Sequence, residues 1–117
     1  MSDTFDLRAM RATFDPSECA EQSAPLHPGE VLREEFMAPL GLSAGQVAKA
    51  LDLPRSRIER IVREEIGIST DTALRLARFF RTSPDVWTNL QARFERETLL
   101  AEIGPVLERI QPVPEAA

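Results

Sequence analysis

From His27 onward the apolar residues recur at intervals of three and four, in five short stretches. Nowhere do they alternate one by one as a half-buried strand requires. That pattern confines the chain to an all-α fold. Each stretch also carries its own start or stop signal. The first, over 28–38, begins with a proline at the first helical position and sets Val31, Leu32 and Phe36 opposite Arg33 and Glu34. Pro39 and Gly41 are expected to close it. Ser43 and Gln46 fit a capping box, opening a second helix that turns Val47, Ala48 and Leu51 inward. The third, over 54–64, has Ile58, Ile61 and Val62 on its inner side. Ser69 and Thr70, followed by Asp71, open the fourth, with the stripe Ala73, Leu76, Ala77 and Phe80. Ser83-Pro84-Asp85 opens the fifth, and Val86, Trp87, Leu90 and Phe94 line one face of it. The stripe pauses over 95–98 and resumes at Leu99, Ile103, Val106, Leu107 and Ile110. Gly104-Pro105 is expected to divide this last stretch, because proline removes a backbone donor and crowds the preceding turn.

With 117 residues there is room for one domain and its tails. Residues 1–26 show no sustained periodicity and read as a mobile acidic N-terminal arm, with a short helix over 7–14. Residues 27–96 form the expected folded domain. Residues 97–117 form a helical extension and a proline-containing tail.

The residues that most enzymes need are missing. One cysteine, Cys19, and one histidine, His27, supply neither a disulfide nor a Cys/His metal site, so no metal or cofactor is expected. Glu34 and Glu35 are neighbours and point about 100° apart on a helix, so they do not make a catalytic pair. His27 reads as a helix-start residue. No nucleophile–base set and no phosphate-cradling loop occurs, and the chain is expected not to be an enzyme. No apolar run approaches the roughly 20 residues of a membrane span, and residues 1–10 lack the core of a secretion signal. The expected location is the cytoplasm, away from membranes.

Net charge is −5, but it is unevenly spread. Residues 49–81 carry eight basic and five acidic groups, while the segments on either side are acidic. A basic centre between acidic flanks is an electrostatic footprint for a polyanion, although an ordinary solvated surface has the same look. The third helix sharpens the point. At about 100° per residue, Ser56, Arg60 and Arg63 lie opposite Ile58, Ile61 and Val62, with Arg55 and Arg57 flanking them at the N-terminal turn. The join to the second helix is only Leu51-Asp52-Leu53. Two short helices so joined are a helix-turn-helix, whose second helix enters the DNA major groove. Arginine suits that face because its planar fork bonds bidentately to guanine. A charged, solvated helix with Glu59 paired to Arg63 would look similar.

The segments 27–36, 41–43, 67–80 and 82–91, which read HPGEVLREEF, GLS, GISTDTALRLARFF and TSPDVWTNLQ, resemble the HigA-type antitoxins. These belong to the lambda-repressor-like helix-turn-helix superfamily. The resemblance covers about 70 residues, from His27 to about Arg96. It implies a five-helix bundle that binds double-stranded operator DNA as a homodimer, represses its own toxin–antitoxin operon and neutralises a HigB-type, RNA-cleaving toxin. A solitary regulator of the same fold, without a toxin, is the alternative. Position by position, Arg55, Ser56, Arg57 and Arg60 match the base- and phosphate-facing sites, with Arg63 on the same outward face. Ser43 and Thr70 match helix starts that hold phosphates.

Three departures from the family pattern stand out. Asp52 occupies the usual glycine of the turn, where aspartate tolerates the left-handed conformation. Ala44 replaces a phosphate-binding glutamine. Glu64-Glu65-Ile66-Gly67 replaces a basic loop, and its carboxylates are expected to weaken or redirect phosphate contacts. Trp87, Leu90 and Phe94, with Leu99 and Ile103 following, are expected to form the dimer interface. In the arm, Leu7, Met10 and Phe14 supply apolar anchors among carboxylates that suit a basic toxin; a functionless extension is the other reading.

Overall fold

A computed structural model describes residues 24–114, which form five helices. Helix α1 is made of three consecutive segments, Pro28–Val31, Leu32–Met37 and Ala38–Leu40. Helix α2 is Ala44–Leu51, α3 is Arg55–Val62, α4 is Thr70–Phe80 and α5 is Pro84–Arg109. Among the described residues there is no strand. The arm predicted over 1–26, with its short helix and Cys19, lies outside the described residues up to residue 23.

A side-chain cap sets four of the five starts, while α3 follows Pro54, which makes no side-chain cap bond. The Nδ1 of His27 accepts the Gly29 N–H at 2.8 Å and caps α1, so this histidine is indeed a helix-start residue. In α2 both halves of the capping box form: the Ser43 hydroxyl accepts from the Gln46 N–H at 3.1 Å, and the Gln46 amide oxygen accepts from the Ser43 N–H at 2.8 Å. Ser69 caps α4 and Ser83 caps α5.

Two proline expectations are corrected. Helix α1 does not stop at Pro39; it winds as a π-helix over Leu32–Met37 and ends at Leu40, with Gly41 left-handed after it. Pro39 cannot donate to the carbonyl four residues back, and the wider winding before it lets the chain continue. Nor does Gly104-Pro105 divide the last stretch, for α5 runs through both as one helix of 26 residues. The stretch around them is exposed, so water satisfies the carbonyl that Pro105 leaves unbonded.

The predicted stripes make the core. Leu32 and Phe36 of α1, Val47 of α2, Ile58 and Ile61 of α3, Leu76 of α4 and Trp87 of α5 are all buried. Phe36 lies 5.1 Å from Phe80 and 4.9 Å from Trp87, ring centre to ring centre. The Trp87 N–H is satisfied by the Thr82 hydroxyl at 3.0 Å, so its burial leaves no orphan donor. Each such side chain contributes about 1.5–3 kcal/mol by leaving water.

Long-range ties fix the bundle around the helix pair α2–α3. Gly29 sits so close to α3 that a Cβ there would stand 1.8 Å from the Ile61 carbonyl oxygen. The Arg33 guanidinium donates to the Val62 carbonyl at the end of α3. The Gln91 amide oxygen accepts the Ile68 N–H at 2.7 Å, holding the α3–α4 loop against α5.

Candidate nucleic-acid interface

Helix α2 ends in a left-handed turn at Asp52, with φ 60° and ψ 49°, the conformation expected of the residue that replaces glycine there. The Asp52 N–H bonds back to α2, and the Leu53 N–H reaches the Ala48 carbonyl at 2.9 Å. Two carbonyls are then gathered by Arg75 of α4, whose Nη1 donates to Leu51 at 2.8 Å and to Asp52 at 3.2 Å. Asp71 accepts from the same guanidinium at 2.5 Å and holds it in place. The turn between the two helices is therefore braced from a third helix, which fixes the direction of α3.

On α3 the buried Ile58 and Ile61 face the core, and Arg55, Ser56, Arg57, Arg60 and Arg63 are all exposed on the outer side. The structure thus brings together all the α3 positions singled out in the sequence. Two of the arginines have carboxylate partners. Arg55 pairs with Glu59 at 2.8 Å and Arg60 with Glu65 at 3.6 Å. Among the described residues, Arg57 and Arg63 have no carboxylate within ion-pair distance. The Glu59–Arg63 pair of the solvated-helix alternative does not form; Glu59 pairs instead with Arg55, one helical turn earlier.

Ser43 is exposed at the start of α2, and Thr70 is the exposed first residue of α4. The Ser43 oxygen is engaged in the cap but its hydroxyl proton is not taken up by that bond, so it remains a donor. Arg55 comes to the same place: its Cδ lies 3.7 Å from where a Cβ on Gly45 would stand. A Cβ at Gly45 would make only ordinary van der Waals contact there, so Arg55 lies across the first turn of α2 without requiring a glycine beneath it.

In the Glu64-Glu65 departure each carboxylate is engaged by an arginine. Glu64 adopts φ 64° after α3 and accepts from Arg33 at 3.3 Å; Glu65 pairs with Arg60. The side chains of both are still partly exposed, so they temper the basic face without blocking it.

The expected interface residues fall differently. Trp87 is 0% exposed and Leu90 9%, so Trp87 has no surface left for a second chain. Phe94 is half-buried, its ring edge against His27 at 4.7 Å. The large exposed apolar surface of α5 lies further along, from Leu99 to Ile110. A 3.6-residue stripe looks the same whether the chain's own core or a partner covers it. Among the described residues, no helix is long and apolar enough to cross a membrane.

Comparison with known proteins agrees with this geometry. The helix-turn-helix family model matches residues 32–87. Virulence-associated protein I of Dichelobacter nodosus is 53% identical over 70 residues, which are 60% of this chain and 65% of that protein, slightly under two thirds of its length. The Pseudomonas aeruginosa antitoxin HigA, solved with the higBA promoter, is 41% identical, with a TM-score of 0.74 over 77% of this chain and 99% of that one. The antitoxin GraA in complex with its operator is 38% identical, with a TM-score of 0.75 over 80% of this chain and 95% of that one. The chain belongs to the HigA-type antitoxins, within the lambda-repressor-like helix-turn-helix superfamily.

Proposed function

We propose that this protein binds operator DNA as a dimer, represses its own toxin–antitoxin operon and neutralises a HigB-type ribonuclease toxin. The observation that carries the reading is the row of exposed guanidinium groups on α3, aimed by a turn that Arg75 braces. With α3 in a major groove, Arg55, Ser56, Arg57 and Arg60 reach base edges and flanking phosphates, Arg63 strengthens the same face, and Ser43 and Thr70 meet phosphates at two helix starts. That antitoxins of this family were solved on promoter and operator DNA supports the same partner here. Releasing Arg55 from Glu59, or Arg60 from Glu65, costs little, because exposed ion pairs contribute about 0–1 kcal/mol.

The dimer forms through the outer half of α5. Leu99, Ile103, Val106 and Ile110 follow one another at spacings of four, three and four, the pattern of a coiled-coil seam. In an antiparallel pair centred between Ile103 and Val106, Glu102 of one helix comes within about 3 Å in height of Arg109 of the other, given 1.5 Å per residue. That charge match favours a second copy of the chain over an unrelated apolar partner.

The toxin reading draws on the eight carboxylates of residues 1–35, set against three arginines and separate in sequence from α3. An RNA-cleaving partner needs a cationic surface, and such carboxylates oppose it. Two experiments test the whole. A gel shift with the protein's own promoter should show binding that an Arg55→Ala/Arg60→Ala chain loses; unchanged binding removes α3 as the reader. Co-expression with the neighbouring gene should yield a complex, weaker for a chain starting at Pro25. No complex with either chain leaves a regulator without a toxin.

A further inference from the structure

The loop from α3 to α4 leads to Thr70, the helix start proposed to meet a DNA phosphate, and a side chain of α5 holds that loop. Within it the Ile68 side chain is buried, and the Ile68 N–H donates to the Gln91 amide oxygen at 2.7 Å. Ile68 directly precedes Ser69, the cap of α4, and stands two residues before Thr70. The chemistry of that cap is directed inward. The Ser69 oxygen accepts the Thr72 N–H at 3.2 Å, and its hydroxyl donates to the buried Thr72 hydroxyl at 3.1 Å. The Asp71 carboxylate is held by Arg75. Thr70 is left exposed, and the N–H groups of Thr70 and Asp71 lie in the first turn, where a helix supplies no acceptor for them.

Gln91 is itself oriented. Its Nε2 donates to the Glu95 carboxylate, one helical turn further along α5, at 2.9 Å. An amide has one donor end and one acceptor end, and a carboxylate only accepts, so Glu95 fixes which end faces Ile68. Gly67 completes the fit. A Cβ there would lie 2.6 Å from both polar atoms of the Gln91 amide, so the loop passes flush against it. Gly67 is not left-handed, and close approach is therefore what calls for glycine at this position. We propose that Gln91, oriented by Glu95, is a positioning residue for DNA binding: it sets the first turn of α4 against the phosphate backbone while α3 reads the bases. The inference rests on the DNA reading above and adds that a residue outside the helix-turn-helix governs affinity but not sequence preference. Phosphate contacts fix a protein on the duplex without carrying base information.

The test is titration of the promoter duplex, and of a scrambled duplex, with full-length chains at fixed salt, their fold checked by circular dichroism. Gln91→Leu removes the acceptor and should weaken binding to both duplexes about tenfold, the scale of one hydrogen bond to a charged group, with their ratio unchanged. Gly67→Ala should act likewise and keep its fold, because the methyl displaces the flexible end of Gln91 and not a backbone atom. Thr70→Val should also weaken both, and combined with Gln91→Leu it should bind no more weakly than Gln91→Leu alone, since the two act at one contact. Gln91→Glu sets two carboxylates against each other and should weaken binding. Adding Glu95→Gln returns a donor to face an acceptor and should restore it. Wild-type affinity in the Gln91→Leu and Gly67→Ala chains overturns the proposal. So do losses that multiply with Thr70→Val, a promoter-to-scrambled ratio that falls as it does for Arg60→Ala, or an exchange at 91 and 95 that restores nothing. A wild-type chain that binds neither duplex overturns the DNA reading and this proposal together, whereas each of the other failures leaves the DNA reading standing.

Discussion

The bundle and the outer half of α5 share one sequence grammar and differ in what happens to it. In α1 to α4 the core-facing apolar stripes are sealed, with Leu32, Val47, Ile58, Ala73 and Leu76 all at 0% exposure. In α5 beyond Phe94 the same spacing places Leu99, Ile103, Val106 and Ile110 in solvent, with 38–60% of each exposed. Periodicity therefore says which face of a helix is apolar and is silent on what lies against that face. What separates the two regions is tertiary stapling. The bundle has Gly29 on Ile61, Arg33 on Val62, Arg75 on the turn and Gln91 on Ile68, and among the described residues the outer half of α5 has no such tie to the bundle.

The largest effect is expected where two backbones touch. Gly29→Ala drives a methyl into the Ile61 carbonyl and separates α1 from α3, at a cost of about 3 kcal/mol or more, since overpacking a close contact exceeds the ordinary range for surface changes. Chemical denaturation measures it; a loss under 0.5 kcal/mol would mean that the close approach is not a constraint.

A smaller effect is expected at the cap of α1. Burial holds the His27 imidazole below its ordinary pKa of 6.5, outweighing the upward pull of Glu64, while Arg33 adds to the lowering. Its neutral Nδ1 is the acceptor for Gly29. The stabilisation is complete above pH 6.5 and is lost as the pH falls through the lower, folded-state value, because the unfolded chain takes up the proton first. Melting temperature should thus decline from about pH 7 to pH 5, and His27→Asn, which keeps a capping acceptor without a titration, should flatten that decline. An equal slope in both proteins would remove His27 from the pH response.

In the outer half of α5 the sign of the contrast reverses. Ile103→Glu should change protomer stability by no more than about 0.5 kcal/mol, as an exposed position away from the core does. Sedimentation should nevertheless show the dimer lost, and operator binding lost with it. A dimer that survives this substitution returns the interface to Leu90 and Phe94.

How much of this was legible before the structure follows from range. The caps at Ser43, Ser69 and Ser83 and the core stripes depend on neighbours within four residues, so the sequence carries them openly. The exposed face of α3 follows from the same period. The ties do not, because Arg33 reaches 29 residues ahead and Arg75 reaches 24 residues back to backbone atoms, which no local pattern encodes. Trp87 reads as an interface residue in the sequence because an apolar stripe names no partner. Pro39 and Pro105 read as breaks because a missing N–H is visible in the sequence, while π-winding or water at the freed carbonyl is not.

The proposed reading of DNA by α3 depends on its outward arginines. It is tested most directly by titrating a labelled duplex from the protein's own promoter, and a scrambled duplex of equal length, with the wild-type and Arg60→Ala chains at fixed salt. The ratio of the two affinities should fall by the equivalent of about 1–3 kcal/mol in the variant, as loss of a bidentate base contact does, with its fold unchanged. A ratio that Arg60→Ala leaves where it was would contradict the assignment of α3 as the reading helix.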